Sequence, residues 1–284
     1  MSHENINAVQ QYGDKFLQLD LSSNDAGKTI SNGANTTMRI ATLFRRVSGS
    51  VAAASLALVV GMGDASAATQ TGWVGPTPPG EGGQLYLTTS TINNAPLEAS
   101  SRIYTAFGNS VPTAQMGVQA RLFKSGVLCQ ITSYVFNPLP ANQISTNTYG
   151  NCGSGSYNSH GFVKYWTGTA YGDFLTFPTD PLNFTAPPTL ASKSPTAAPK
   201  TDSATNSEGL TIGSAETAQT ENDQPDLIAA YGTGGEAGYI KKTDLAAQTP
   251  ATPTEAAKAT DPAPSTIPLY AENGSTVIGS FTIQ

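Results

Sequence analysis

Cys129 and Cys152 are the only cysteines in the 284-residue chain, and His160 stands eight residues after the second. One chemistry this spacing could serve is nucleophilic, with Cys152 in Asn151-Cys152-Gly153 as a thiolate and His160 as its base. Cysteine hydrolases of the cell-wall type, however, set the cysteine at a helix start and the histidine far along the chain on a strand. Here the neighbourhood, GNCGSGSYNSHG, is turn material and the separation is short. In an exported chain a lone pair of cysteines is more simply a disulfide. Closing a loop of roughly 24 residues contributes about 3.5 kcal/mol in the chain-entropy model. The predicted role of Cys129 and Cys152 is therefore a structural bridge.

His160 could instead serve a Ser-His-Asp triad, with Asp173 or Asp180 as the carboxylate. No G-x-S-x-G, S-x-x-K or H-E-x-x-H pattern accompanies it, and a histidine between Ser159 and Gly161 reads as a surface strand residue. A zinc site would need further His, Cys or grouped carboxylates. The glycines at 150, 153 and 155 match neither dinucleotide nor P-loop spacing. No catalytic residue, metal site or cofactor is assigned.

The remaining candidates are aromatic. Tyr157, Phe162, Tyr165, Trp166 and Tyr171 crowd one short stretch. Exposed rings of this kind stack on sugar rings, and Tyr157, Tyr165, Trp166 and Tyr171 are the candidate ligand-binding set. The competing reading is that they fill the core of a small β domain. Two or more coplanar, solvent-facing rings would decide for binding.

The elements that must hold these residues are mostly strands. Charged residues are only 12% of the chain, and turn formers are abundant. A net charge of −6 leaves no basic surface to neutralise phosphates or anionic headgroups, which argues against nucleic-acid partners. Residues 84–185 hold 15 of the 23 aromatics, with four basic and three acidic residues, whereas 209–284 hold three basic and nine acidic ones. The first segment therefore has the core material and the second is an acidic tail.

Within 84–185, the run GVQARLFKSGVLCQITSYVF reads as two strands around Lys124-Ser125-Gly126. Further strands are expected over 84–90, 102–107, 157–166 and 171–177. The fold class is mainly β: a small antiparallel β-sandwich, a flexible linker over 186–208, and an acidic α+β tail, 209–284, built on a C-terminal β-hairpin. In the tail, Tyr239-Ile240 reads as a short strand. Thr252-Pro253-Thr254-Glu255 reads as a helix start with a capping box. Asn273-Gly274 sits between two alternating runs as a hairpin turn.

Upstream, Arg39, Arg45 and Arg46, an apolar run from Val51 to Met62, and Ala65-Ser66-Ala67 form a secretion signal over 38–67, cut between Ala67 and Ala68. The apolar run is shorter than the roughly 20 residues of a spanning helix. The rival reading is an anchor left uncleaved in the membrane. Residues 1–37 read as a polar extension, disordered or untranslated, and 68–83 as a flexible linker.

Two pieces resemble known proteins. GYIKKTDL, the TPATPTEAAKA helix start and TIPLYAENGSTVIGSFTI together resemble a C-terminal module of uncharacterised actinobacterial proteins. LFKSGVLCQ and GNCGSGSYNSHG are similar to small secreted actinobacterial proteins with two cysteines and a C-G-x-G-x-Y turn. The resemblance implies a lineage and an extracytoplasmic address, with no activity attached. The expected role is a non-catalytic interaction protein outside the cell or at its envelope, its partner a cell-wall glycan or another surface protein. The rivals are a carbohydrate-binding module and a hydrolase using His160.

Overall fold

The computed structural model describes residues 67–187, 198–247, 249–259 and 263–284, all within the compact unit Gly61–Gln284. The expectations for residues 1–66, including most of the secretion signal, lie outside the described residues.

The mainly β fold holds. The first nine strands are β1 (Thr69–Thr71), β2 (Gly75–Pro76), β3 (Tyr86–Asn94), β4 (Leu97–Thr105), β5 (Met116–Gln119), β6 (Arg121–Lys124), β7 (Val127–Ile131), β8 (Val135–Phe136) and β9 (Gln143–Asn147). Then come β10 (Gly155–Ser159), β11 (Phe162–Trp166), β12 (Tyr171–Leu175), β13 (Leu182–Phe184), β14 (Ala204–Thr205) and β15 (Thr211–Gly213). The last four are β16 (Leu227–Tyr231), β17 (Ala237–Lys241), β18 (Ser265–Tyr270) and β19 (Val277–Ile283), with two short helices between β17 and β18, α1 (Lys242–Ala246) and α2 (Pro253–Ala256).

The sandwich part comes from period-2 alternation. In β4, residues 97, 99, 101, 103 and 105 turn inward and their neighbours outward. Tyr86 and Ile103 of the β1–β3–β4–β9 sheet pack on Met116, Val118, Val163 and Tyr165 of the β12–β11–β5–β8 sheet. The long expected strands are interrupted. Ala120 separates β5 from β6, and His160-Gly161 separates β10 from β11. At Gly161 a side chain would meet the Gln119 carbonyl at 2.1 Å, so the backbones approach too closely for any other residue. The β6–β7 turn is as expected from its sequence, with Ser125 and Gly126 both at positive φ, 49° and 82°.

The tail departs from the expected arrangement. Strands β7, β19, β18, β17 and β16 pair in succession, and β16 pairs back onto β7 through Ala230 and Leu128. This closes a five-stranded ring, which leaves none of its strands at an edge. Four of its strands come from 209–284, and the fifth, β7, comes from the disulfide-bearing segment. The interior holds Leu128, Ile131, Ile228, Ala230, Ile240, Ile267, Leu269, Phe281 and Ile283. The alternation in β16 is strict: Ile228 and Ala230 face inward, while Leu227, Ala229 and Tyr231 pack on the outside. The tail is thus continuous with the central segment, because its own strands bury their apolar face only when β7 completes the wall. Two expected linkers also carry strands: β1 and β2 lie in 68–83, and β14 in 186–208.

The expected helix start is present. Thr252 accepts a hydrogen bond from the Glu255 amide, and Pro253 opens α2. Glu255 reaches the Ala251 amide instead of closing the box on Thr252. Asn273-Gly274 lies in a longer loop, Ala271 to Thr276, rather than a two-residue turn.

Candidate functional site

The disulfide joins Cys129 of β7 to Cys152, with the Cα atoms 5.9 Å apart. It ties the loop before β10 to the strand on which the ring closes. With both sulfurs in the bridge, neither is a free nucleophile. A bridge of this kind fits an extracytoplasmic, oxidising location. Among the described residues no helix is long and apolar enough to cross a membrane.

His160 is not on the surface. It is 1% exposed because the break between β10 and β11 turns it inward beside Phe123 and Phe162. Arg121, equally buried, donates from Nε to the His160 carbonyl and from Nη2 to His160 Nδ1, both at 2.9 Å. Guanidinium nitrogens only donate, so Nδ1 accepts and the proton sits on Nε2. That Nε2 is buried without a partner. Burial, reinforced by the charge of Arg121, holds the imidazole well below its usual pKa of 6.5. Arg121 Nη1 donates to Gln224 Oε1 at 3.2 Å, and its Cζ stands 3.8 Å from the Phe162 ring centroid. Burial pulls its pKa down from the usual guanidinium value.

The carboxylates proposed for a triad are elsewhere. Asp173 accepts from the Glu221 amide at 2.7 Å, and Asp180 is exposed. Neither hydrogen-bonds His160. Glu221 meets Lys164 in an ion pair and accepts from the Tyr134 hydroxyl at 2.8 Å. Burial, then the neighbouring Glu221, pushes the Tyr134 hydroxyl well above its usual pKa. These groups form a polar seam between the central strands and the 221–224 turn, so Asp173 is used structurally rather than as a partner of His160.

The aromatic set divides as well. Tyr157 and Tyr165 are buried, at 1% and 4% exposure. Trp166 and Tyr171 are half-buried and meet edge-on, at 75° between planes. Tyr171 also donates to the Ala114 carbonyl at 2.5 Å. No coplanar exposed strip exists among these four, so they do not make a sugar-stacking face; they fill core and strand faces instead.

The described residues also form concavities. A polar groove of about 810 Å³ runs between the β6–β7 turn, the 201–217 segment and the 222–226 turn. Its walls carry Ser125, Thr201, Ser203, Thr217 and Asn222, with Glu216, Asp223 and Asp226 against a single cation, Lys242. Lys242 Nζ donates to the Gln224 carbonyl at 3.1 Å, closing one end. The second, of about 280 Å³, lies beside the disulfide. No protein-family model, curated protein or solved structure matches this chain. Among the described residues no three His, Cys, Asp or Glu side chains are grouped to hold a metal ion.

Sequence reading missed Arg121, Gln224 and Glu221, the residues that join the two segments. In the sequence Arg121 alternates with the apolar Ala120 and Leu122, as a strand residue on the opposite face from them does. Its burial depends on Gln224, more than a hundred positions away, and no local pattern reports that.

Proposed function

We propose that this is an exported, non-catalytic interaction protein that works outside the cytoplasm or at the cell envelope. The observation that carries the reading is the open groove, whose walls present hydroxyl, carboxamide and carboxylate groups to solvent. Three carboxylates against one lysine favour a neutral or basic partner. A polar, extended segment of another surface protein fits that description, and a cell-wall glycan is the second reading. The disulfide supports the extracytoplasmic address, as does the resemblance to secreted actinobacterial proteins. Ala68, the residue after the expected cut, is tied to β3 through its amide on Asn94 Oδ1 at 2.7 Å. A secretion signal removed just before it would leave the folded part intact.

The test has two arms. Fractionation of the native culture with intact-mass measurement should find a form beginning at Ala68 outside the cytoplasm, alkylated only after reduction. That form should be retained on isolated envelope material, and Thr217→Trp, which fills the groove, should cut retention at least tenfold. A cytoplasmic form with free thiols, or retention untouched by Thr217→Trp, would overturn the reading.

A further inference from the structure

The outer face of the β1–β3–β4–β9 sheet changes character from one end to the other, and its strands change together. Along β4 the outward residues are Glu98, Ser100, Arg102 and Tyr104, with Phe107 in the turn beyond. Along β3 they are Asn93, Thr91, Thr89 and Leu87, with Leu85 just ahead of the strand. In β9, Asn147, Ser145 and Gln143 run toward the same end, with Leu139 in the loop before it. At the edge, Thr69 and Thr71 of β1 give way to Trp73 and Val74, then to Pro76 of β2. One end of the face is thus hydroxyl- and carboxamide-bearing, and the other is apolar.

The apolar end is open to solvent: Phe107 is 82% exposed, Trp73 80% and Leu139 71%. Large apolar side chains gathered on an open surface mark a place of contact. The loops that carry them are held in place by the fold. The buried Asn137 carboxamide donates to the Pro112 and Leu139 carbonyls at 2.8 and 2.9 Å. Val111 and Ala141 exchange both backbone hydrogen bonds, and the Ala106 amide donates to the Leu85 carbonyl at 3.0 Å. The prolines at 112, 138 and 140 have no amide hydrogen to satisfy. Backbone groups paired inside the protein, or absent, are what a surface entering a non-aqueous phase requires.

Charge is arranged to suit. Residues 106–120 and 133–147 contain no Asp, Glu, Lys, Arg or His. Among the outward residues of the face Arg102 is the one cation, and it stands at the boundary, its Cζ 4.6 Å from the Tyr104 ring centroid. Glu81, just ahead of β3, turns toward the facing sheet, where Gln115 Nε2 donates to it at 2.9 Å. We infer that this end of the sheet docks on a lipid bilayer, with Phe107, Leu139 and Leu85 entering the acyl boundary and Trp73, Tyr104 and Arg102 at headgroup depth. The order along the strands is that of a bilayer interface: apolar groups innermost, aromatic rings and an arginine at the headgroups, hydroxyls in water. A protein partner would not require the same gradation in adjacent strands. With a net charge of −6 and one cation on the face, anionic lipid adds no attraction, so the surface is zwitterionic. The attachment goes beyond the groove reading and does not depend on it.

The experiment is flotation of the exported, disulfide-intact protein with vesicles of dioleoylphosphatidylcholine. A few inserted side chains bind more weakly than one acyl chain, so half of the protein should float at lipid on the order of 1 mM. High salt should not release it, because the contact is apolar. Phe107→Ser combined with Leu139→Ser should weaken flotation at least tenfold. Both side chains are exposed, so the melting temperature should not fall, and lost flotation then reports lost docking. Absence of flotation overturns the proposal, and so does flotation that the double variant retains. A concentration-dependent dimer that the double variant abolishes, without flotation, would make the patch an interface between copies and overturn it too. The vesicles hold neither protein nor glycan, so each of these results leaves the groove reading standing. Thr217→Trp should float like the unaltered protein, and its failure to alter envelope retention would remove the groove reading alone.

Discussion

The tail meets the rest of the protein through two unlike surfaces. Inside the ring, Leu128 and Ile131 of β7 are enclosed by Ile228, Ile240, Leu269, Phe281 and Ile283, an apolar contact without direction. At the seam, Arg121, braced by His160, donates to Gln224, and Lys164 pairs with Glu221. Apolar burial contributes most of the free energy and is indifferent to pH. Buried polar contacts contribute little net stability but penalise every misaligned arrangement, since an unmet Arg121 would be costly. The difference teaches a division of labour: the ring holds the tail on, and the seam fixes where it sits.

The largest effect should come from the ring. Phe281→Ala removes a fully buried ring from its interior and should cost about 3–5 kcal/mol. The two tryptophans, Trp73 and Trp166, both lie outside the tail. If the ring makes one cooperative unit, their fluorescence and the far-UV circular dichroism should lose their structure together, at the same lowered denaturant midpoint. Two separate transitions, with the tryptophan signal unmoved, would show the tail to be an independent module and would break the comparison.

How much of this was legible in the sequence follows from the range of each interaction. The Ser125-Gly126 turn and the Thr252-Pro253 helix start are decided by neighbours a few residues apart, and both could be read. The disulfide was legible because the chain has two cysteines and no others. Ring closure was not: β16 was not among the expected strands, and nothing near it signals that its partner, Leu128, lies a hundred residues back. Closure by a single parallel bridge leaves no turn between the strands to announce it. The site was misread for the same reason. Tyr157 and Tyr165 have the composition of a sugar face, and only the packing of one sheet on another turns them inward.

A smaller effect is expected at the seam. Gln224→Leu leaves one N–H of the buried Arg121 without an acceptor and should cost about 1–3 kcal/mol. Adding Arg121→Leu to the same chain should cost less than the sum of the two single changes, because the second removes the donor that the first had stranded. Strict additivity in denaturant unfolding would mean that Gln224 and Arg121 are not coupled, and the seam would lose its claim to set the register.

At neutral pH the smallest effect belongs to His160, because it appears only on acidification. The folded protein holds its imidazole neutral, with a pKa well below 6.5, while the unfolded chain titrates near 6.5. Below that value the unfolded state binds a proton that the folded state refuses, so stability is fully present above about pH 6.5 and falls as the pH drops toward the folded pKa. The groups facing the ring are Arg121 through Nδ1 and the rings of Phe123 and Phe162. No carboxylate hydrogen-bonds the ring to offset its positive form. His160→Asn keeps an oxygen acceptor for Arg121 and does not titrate. Between pH 7.5 and 5.5 the denaturant midpoint of the unaltered protein should fall more steeply than that of His160→Asn. Parallel slopes would place the acid sensitivity elsewhere, and would reduce His160 to a packing residue.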